Sequence, residues 1–285
     1  MASIAYHLSS RIARWRRARF VARLADYAQP LAGGAGEVPA TLLGFCGQRD
    51  LPEQVASWRS FQRWVGRPRR VVLVSDGSLG DRECALLRAL EPRVEIQSLE
   101  EFGGATATAA MRNYATSQPM GRKLWVMRAL DSLAPVIYAD SDILYFPASV
   151  ELAEPSFWEG DRPAYLLDPY PSLDLRLLPE VGERSEPVNG GFVVVRQALQ
   201  WSESMRRLEE LQGEPAFFSE QTLLHLTIRL SGGNPLDPAR YVLRNEDQWS
   251  ATDWFAGPEV ALRHYISSLR HKMWLRVRAT GSATA

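Results

Sequence analysis

Strand-like and helix-like segments alternate from residue 41 to residue 139, and this alternation restricts the fold more than any other feature of the sequence. Short apolar runs predict strands at 41–46, 70–74, 94–99 and 135–139. Between them, apolar residues that recur every three or four positions predict helices at 52–65, 81–90 and 123–133. This order indicates an α/β domain whose sheet is mostly parallel and carries helices on both faces.

The second half of the chain is less regular. It predicts strands at 164–167 and 191–195 and helices at 197–212 and 220–230. A Gly/Pro-rich linker at 30–39 precedes the first strand, so we expect one continuous globular domain to start after it. The final residues, 277–285, are expected to form a tail.

Composition excludes several classes of protein. Lys and Arg total 33 and are balanced by 33 Asp and Glu, so a nucleic-acid partner held by phosphate neutralisation is not expected. No window of eighteen apolar residues is present, which excludes a transmembrane helix. The two cysteines, Cys46 and Cys84, have no metal-binding spacing and suit a reducing compartment. We therefore expect a cytoplasmic protein.

The first 28 residues form a basic segment with helical periodicity. One acid, Asp26, opposes six arginines: Arg11, Arg14, Arg16, Arg17, Arg19 and Arg23. An apolar stripe recurs at Ala5, Leu8, Ile12, Trp15, Ala18, Ala22 and Ala25. Two interpretations stay open: a basic amphipathic helix in peripheral contact with an anionic membrane, or a helix that packs this stripe on the domain. An organelle transit peptide is also compatible with the composition.

The strongest local signal is the sequence Asp140-Ser141-Asp142, which directly follows the predicted strand 135–139. The carboxyl end of a parallel strand opens into the crevice where α/β sheets bind ligands. Apolar residues flank the two carboxylates, which would repel each other there unless a cation paired them. Hard oxygen ligands suit Mg²⁺ or Mn²⁺, so the sequence predicts a divalent-metal site.

At this point the sequence resembles the metal-dependent nucleotide-sugar glycosyltransferases of the GT-A fold, which is Rossmann-like. The likeness is greatest to the retaining group that includes glycogenin and the bacterial lipopolysaccharide galactosyl- and glucosyltransferases. It covers roughly residues 40 to 276 and rests on four segments in the expected order: Asp140–Asp142, Asn189-Gly190-Gly191, Glu220-Gln221, and His264 followed by Lys272. The chain departs from the pattern after Gln221, where no second acid follows, and at Met273, where the family has proline.

The resemblance implies a role for each segment. Asp140, Asp142 and His264 would hold the metal, and Ser141 and Asn189-Gly190-Gly191 would lie at the donor. Lys272 would touch the diphosphate, and Glu220 and Gln221 would join the two aspartates in the catalytic centre. Residues 37–148 would then form the nucleotide-sugar half and residues 149–276 the acceptor half, behind an N-terminal helix and linker at 1–36.

Two further observations come from the residues themselves. Lys123 and Lys272 are the only lysines among the 33 basic residues. Two interpretations of these lysines stay open. They lie beside the donor phosphates, where a compact ammonium is preferred to a guanidinium, or they occur at these positions by chance. Asp76-Gly77-Ser78 ends the predicted strand 70–74, where Asp76 either contacts the uracil or ribose of a donor or belongs to a plain turn.

The expected function is therefore transfer of a hexose from a UDP-sugar donor to a hydroxyl acceptor of unknown kind. The resemblance implies that the enzyme uses Mn²⁺ or Mg²⁺ and retains the configuration of the sugar. An inverting enzyme would need a carboxylate base, for which Glu220 and Asp168 are candidates. Two alternatives remain: a non-catalytic nucleotide-sugar-binding protein of the same fold, and a sugar-nucleotide pyrophosphorylase. No Gly-rich loop with basic residues near the start of the domain supports the second of these.

Overall fold

The computed structural model describes residues 4–31, 36–170 and 172–277. A seven-stranded mixed sheet forms its centre, in the spatial order β3-β2-β1-β4-β7-β6-β8. Strands β3, β2, β1 and β4 are mutually parallel, whereas β7 is antiparallel to both β4 and β6. The strands of this sheet are β1 Glu37–Cys46, β2 Arg67–Ser75, β3 Val94–Gln97, β4 Val136–Ala139, β6 Ala164–Leu167, β7 Val188–Val195 and β8 Asn234–Pro235. The predicted α/β architecture is confirmed.

Helices cover both faces of this sheet and enclose an apolar core on each side. They are α1 Ile4–Ala22, α2 Leu24–Tyr27, α3 Leu51–Trp64, α4 Asp81–Leu90, α5 Leu99–Gly103, α6 Ala109–Ser117, α7 Pro119–Ala129, α8 Ser202–Glu210, α9 Ser219–Leu230 and α10 Arg270–Arg276. Among the described residues, no helix is long and apolar enough to cross a membrane.

Among the element boundaries that differ from the prediction, two have a clear local reason. The helix predicted at 197–212 begins only at Ser202, because Leu199 and Gln200 donate their backbone N–H groups to the side chains of Asp131 and Ser231. Strand β3 stops at Gln97, since Ser98 caps α5 and accepts the N–H of Glu101. Competing side-chain hydrogen bonds therefore set both ends.

A second, three-stranded sheet brings the end of the chain to the end of β4. Its strands are β5 Ile143–Tyr145, β9 Tyr241–Val242 and β10 Leu262–His264, in the order β5-β10-β9. β10 runs antiparallel to β5, with His264 opposite Ile143. Because Ile143 directly follows Asp142, this register places His264 beside the Asp140–Asp142 segment.

The N-terminal helix α1 packs on the domain, but not through the stripe that the sequence predicted. Ala13 and Phe20 are buried, and the Phe20 ring lies 5.2 Å from the ring of Trp274 in α10. Leu8 and Trp15, members of the predicted stripe, are exposed instead. The large Phe20 ring provides the better anchor, so the alanine-rich stripe faces solvent. Residues 1–3 and 32–35 of the predicted N-terminal segment and linker, and 278–285 of the predicted tail, lie outside the described residues.

Candidate active site

Three potential metal ligands converge at the carboxyl edge of the parallel strands. Asp140 follows β4, Asp142 precedes β5 and His264 ends β10. One ligand atom from each residue lies within 4.8 Å of the others. His264 Nε2 is 3.0 Å from Asp142 Oδ1 and 3.8 Å from Asp140 Oδ2. Two carboxylates and one imidazole this close together form a set of ligand atoms that suits Mn²⁺ or Mg²⁺.

Asn189 orients the imidazole of His264 for ligation. Asn189 Oδ1 accepts the backbone N–H of Gly191 at 2.9 Å, which identifies that atom as the carbonyl oxygen. His264 Nδ1 lies 3.0 Å from the same oxygen and must donate to it. Nε2 then faces the two aspartates: when it carries a proton it donates to Asp142 Oδ1, and in the neutral ring it would present its lone pair to a metal ion, as a metal-ligating histidine does. The residues present therefore fit a divalent cation.

Gly191 provides the space for this ring. A Cβ atom at Gly191 would lie 2.1 Å from His264 Cε1, a distance that no side chain can occupy. At the neighbouring Gly190, a Cβ atom would lie 3.1 Å from Glu220 Oε1 and 3.7 Å from Lys123 Nζ. The two glycines of β7 thus allow side chains from three other elements to cross the strand.

Arg270 in α10 neutralises Asp142. Its Nε donates to Asp142 Oδ2 at 3.0 Å, and its Nη1 donates to Asp50 Oδ1 at 3.0 Å. Burial alone would raise the pKa of Asp142, but His264 and Arg270 together lower it to about 2. The carboxyl group is therefore ionised and ready to accept a cation over the whole neutral range.

Lys123 neutralises Asp140, as Arg270 neutralises Asp142. Its Nζ lies 2.7 Å from Asp140 Oδ2, and the Tyr138 hydroxyl donates to Asp140 Oδ1 at 2.7 Å. Burial alone would lower the pKa of Lys123, but Asp140 and Glu220 raise it overall. The structure thus places the ammonium of Lys123 beside the acidic segment.

Glu220 is buried at the start of α9 with one oxygen free. Its Oε1 has no hydrogen-bond partner among the described residues. Burial raises the pKa of Glu220 to about 7, against the attraction of Lys123. The carboxyl group can therefore exchange a proton near neutral pH.

The adjacent Gln221 takes part in a separate polar network. Its Nε2 donates to Asp168 Oδ2 at 2.9 Å, and Asn189 Nδ2 donates to the same oxygen at 3.3 Å. Asp168 thereby holds both amides, and through Asn189 it fixes the orientation of His264. These contacts suit Asp168 to a role in positioning Asn189 and Gln221.

Asp76 and Ser141 lie along the same edge of the sheet. Asp76 follows β2, and its carboxylate lies over Gly47 at the end of β1, where a Cβ atom would come within 2.0 Å of it. It accepts hydrogen bonds from the N–H and the hydroxyl of Ser78, as in a turn, and remains partly exposed. Ser141 is buried between the two aspartates of its segment.

Lys272 is the predicted site residue whose ammonium points elsewhere. The side chain is fully buried, and Nζ donates to Ser250 O and Ser250 Oγ at 3.1 Å and to Thr252 O at 2.5 Å. These bonds use all three protons of the ammonium, and Asp247 lies 3.5 Å away. In this structure Lys272 ties the loop before β10 to α10 and has no proton left for a phosphate.

Sequence reasoning missed Arg270 and Asp50. The available signal was spacing: residues two apart on a helix point about 200° apart, so Arg270 and Lys272 cannot both face the aspartates. Asp50 follows the first strand in the turn that leads into α3, another polar residue at the carboxyl edge.

Comparison with solved structures identifies the fold. The galactosyltransferase LgtC, in complex with donor and acceptor sugar analogues, matches with a TM-score of 0.51 at 12% identity, covering 80% of this chain and 87% of that one. Mouse xyloside xylosyltransferase 1 matches with a TM-score of 0.52 at 14% identity, covering 82% and 99%. The glycosyltransferase GlyE of Streptococcus pneumoniae TIGR4 matches with a TM-score of 0.52 at 14% identity, covering 84% and 60%.

The fold and the acidic site thus define the class: an α/β protein with the GT-A fold that these glycosyltransferases share, and a candidate metal site at the carboxyl edge of its parallel strands. The fold expected from the sequence motifs is confirmed. No protein-family model matches the sequence. A search of curated proteins also found no match.

Proposed function

We propose that this protein is a glycosyltransferase that moves a hexose from a UDP-sugar to a hydroxyl acceptor with retention of configuration. The observation that carries the proposal is the convergence of Asp140, Asp142 and His264, with the imidazole oriented by Asn189. These three residues would hold a Mn²⁺ or Mg²⁺ ion, whose positive charge would offset the charge that develops on the leaving phosphate of the donor.

The surrounding residues support specific tasks. Lys123 keeps a positive charge beside Asp140, and Arg270 provides a second cation beside Asp142. Both would face a diphosphate placed between the aspartates and stabilise charge on its oxygens. When the diphosphate arrives, Arg270 can turn from Asp142 to the phosphate, because its side chain is 38% exposed.

Retention requires no dedicated protein base, since the departing phosphate oxygen can take the acceptor proton. Glu220 has a free buried oxygen and a pKa near 7, so it is the first candidate to contact the donor sugar or the incoming hydroxyl. Asp168 is less suited to act as a base, because its Oδ2 already accepts from two amides.

We further propose that residues 37–148 bind the nucleotide sugar and that residues 149–276 contribute the acceptor side. We propose a cytoplasmic location for the protein, whose two cysteines are free thiols.

A screen of nucleotide sugars tests the proposal. Melting temperature is measured with each donor, with and without Mn²⁺, because a ligand that binds the folded state raises it. Donors that stabilise are then assayed for hydrolysis and for transfer to simple glycosides. We expect a UDP-hexose to stabilise only with metal and to turn over. Stabilisation without any turnover would indicate the non-catalytic sugar-nucleotide binder, and release of pyrophosphate from a nucleoside triphosphate and a sugar phosphate would indicate the pyrophosphorylase.

A further inference from the structure

Helix α1 has two apolar faces, and only one of them packs on the domain. Ser9, Ala13 and Phe20 lie on the packed side. On the opposite side, an apolar ridge runs along the helix and faces solvent, with exposed fractions of 90% for Ile4, 59% for Leu8, 39% for Ile12 and 59% for Trp15. A ridge of this kind on a soluble surface indicates contact with another apolar phase.

The arginines of α1 divide between the two faces in the same way. Arg16 donates to the carbonyl of Leu275 in α10, and Arg17 binds Glu53 in α3 at 2.6 Å, so these two fasten the helix to the domain. Arg11, Arg14 and Arg19 are exposed beside the ridge, and within the described part of the chain none of them has an acidic partner. The guanidinium of Arg19 stacks on the ring of Trp15, 5.5 Å from its centroid.

We infer that the exposed face of α1, formed by this ridge and its three free arginines, is a docking surface for an anionic lipid membrane. Helix α1 contains no acidic residue, so its charge complements a negatively charged leaflet. A tryptophan beside an arginine suits the headgroup region, where the ring contacts acyl chains and the cation contacts phosphate. Pairing with a second copy would instead set two positive helices against each other.

The packed face of α1 holds the helix firmly on the domain, so that a membrane bound to α1 is connected to the rest of the protein. Phe20 stacks on Tyr27 at 4.5 Å and contacts Trp274, so α1 is held by rings as well as by Arg16 and Arg17. Helix α10, which contacts Phe20 through Trp274 and Arg16 through the Leu275 carbonyl, also carries Arg270, which reaches Asp142. A membrane bound to α1 would therefore fix the orientation of the whole domain and its candidate active site.

Sedimentation with vesicles tests the inference. The full chain is mixed with vesicles of equal phosphatidylserine and phosphatidylcholine, or of phosphatidylcholine alone, at low and at high salt. We expect sedimentation with the anionic vesicles at low salt, weakening as salt screens the arginines. Each basic residue near an anionic surface contributes a factor of about five in affinity, so Arg11→Gln/Arg14→Gln/Arg19→Gln should lower it on the order of 100-fold.

A matched control separates the helix face from net charge. Arg69→Gln/Arg82→Gln/Arg88→Gln removes the same charge from exposed arginines of β2 and α4 and should bind as the wild type does. Leu8→Gln/Trp15→Gln should lose about tenfold or more, since it removes two apolar contacts with the acyl region. Melting temperatures of all variants should match the wild type, because none of these side chains is buried.

Three results would overturn the inference: no sedimentation with anionic vesicles at low salt, an equal loss in the control triple variant, or light scattering that shows a dimer which Leu8→Gln/Trp15→Gln converts to a monomer. None of these results depends on enzymatic activity, so the inference can fail while the proposed function stands.

Discussion

Arg270 Nε donates to Asp142 Oδ2 at 3.0 Å, so a residue of the last helix neutralises one aspartate of the candidate metal site. Lys272, two positions further along the same helix, is turned into the buried network around Asp247. The resemblance implied that Lys272 of this segment touches the donor diphosphate. The structure instead brings Arg270 to the candidate metal site.

We predict that Arg270→Gln changes two affinities in opposite directions. Without the guanidinium, Asp142 is free, so Mn²⁺ alone should bind more tightly. UDP with Mn²⁺ should bind about tenfold more weakly, because a charge-assisted hydrogen bond to the diphosphate is lost. Titration calorimetry measures both. Arg229→Gln, which removes a guanidinium bonded to Ser185, is the control. Two affinities equal to those of the wild type would remove Arg270 from the site.

We predict that Lys272→Arg lowers stability more than it lowers donor affinity. The ammonium is fully buried and bonded to Ser250 and Thr252, and a larger guanidinium would overpack that space at a cost of about 1–3 kcal/mol. Thermal melting measures the loss. A variant that melts as the wild type does but no longer binds UDP would show that the lysine reaches the diphosphate after all.

Three candidate metal ligands were selected from the sequence, and the structure brings them together although His264 lies far along the chain from the two aspartates. Asp140 and Asp142 follow a fully apolar strand, and His264 was found through the resemblance. Arg270 could not be selected by pattern alone, because its role depends on the rotation of α10 about its own axis. That rotation is set by the burial of Met273 and Trp274, which are both packed in the core.

The sheet was easier to predict than the packing of α1. Residues 71–74 of β2 and all of β4 are continuous apolar runs, which only a sheet covered on both faces can bury. Helix α1 has apolar residues on two sides, so periodicity identifies a helix without saying which side is packed. The contact between Phe20 and Trp274, which are far apart in the sequence, determines which side of α1 is packed.

We predict that Gly191→Ala abolishes metal-dependent UDP binding. The new Cβ atom would lie 2.1 Å from His264 Cε1 and would displace the imidazole from Asp142. Calorimetry with UDP and Mn²⁺ measures the effect. Gly182→Ala is the matched control, because a Cβ atom there meets nothing within 4 Å. Binding retained in Gly191→Ala would mean that His264 is not a ligand.

We predict that Glu220→Gln raises stability at alkaline pH. Burial raises the pKa of Glu220 to about 7, above its unfolded value of 4.5, so the folded protein keeps a proton that the unfolded chain has lost. The contribution of Glu220 to the free energy of unfolding is fully present below the unfolded pKa. It is lost as pH rises from there through the folded pKa of about 7. At about pH 8 the variant should be more stable than the wild type by up to about 3 kcal/mol, and below about pH 4 the two should agree.

Denaturant unfolding across this pH range, with EDTA present, measures the difference. Glu203→Gln should behave in the opposite way: Arg206 and Arg207 lower the pKa of Glu203 to about 2, so its contribution is present at neutral pH and is lost on acidification. A constant difference between Glu220→Gln and the wild type at every pH would contradict the shifted pKa of Glu220.

The most direct test of the central claim is calorimetric titration of UDP into the wild-type chain and into Asp142→Asn, each with and without Mn²⁺. The site predicts that the wild type binds UDP tightly only with Mn²⁺. It predicts that the variant still folds but loses at least tenfold of that metal-dependent affinity, since one ligand oxygen and its charge are replaced. UDP binding that is equally strong without metal, or equally metal-dependent in Asp142→Asn, would contradict the assignment of Asp140, Asp142 and His264 as the metal site.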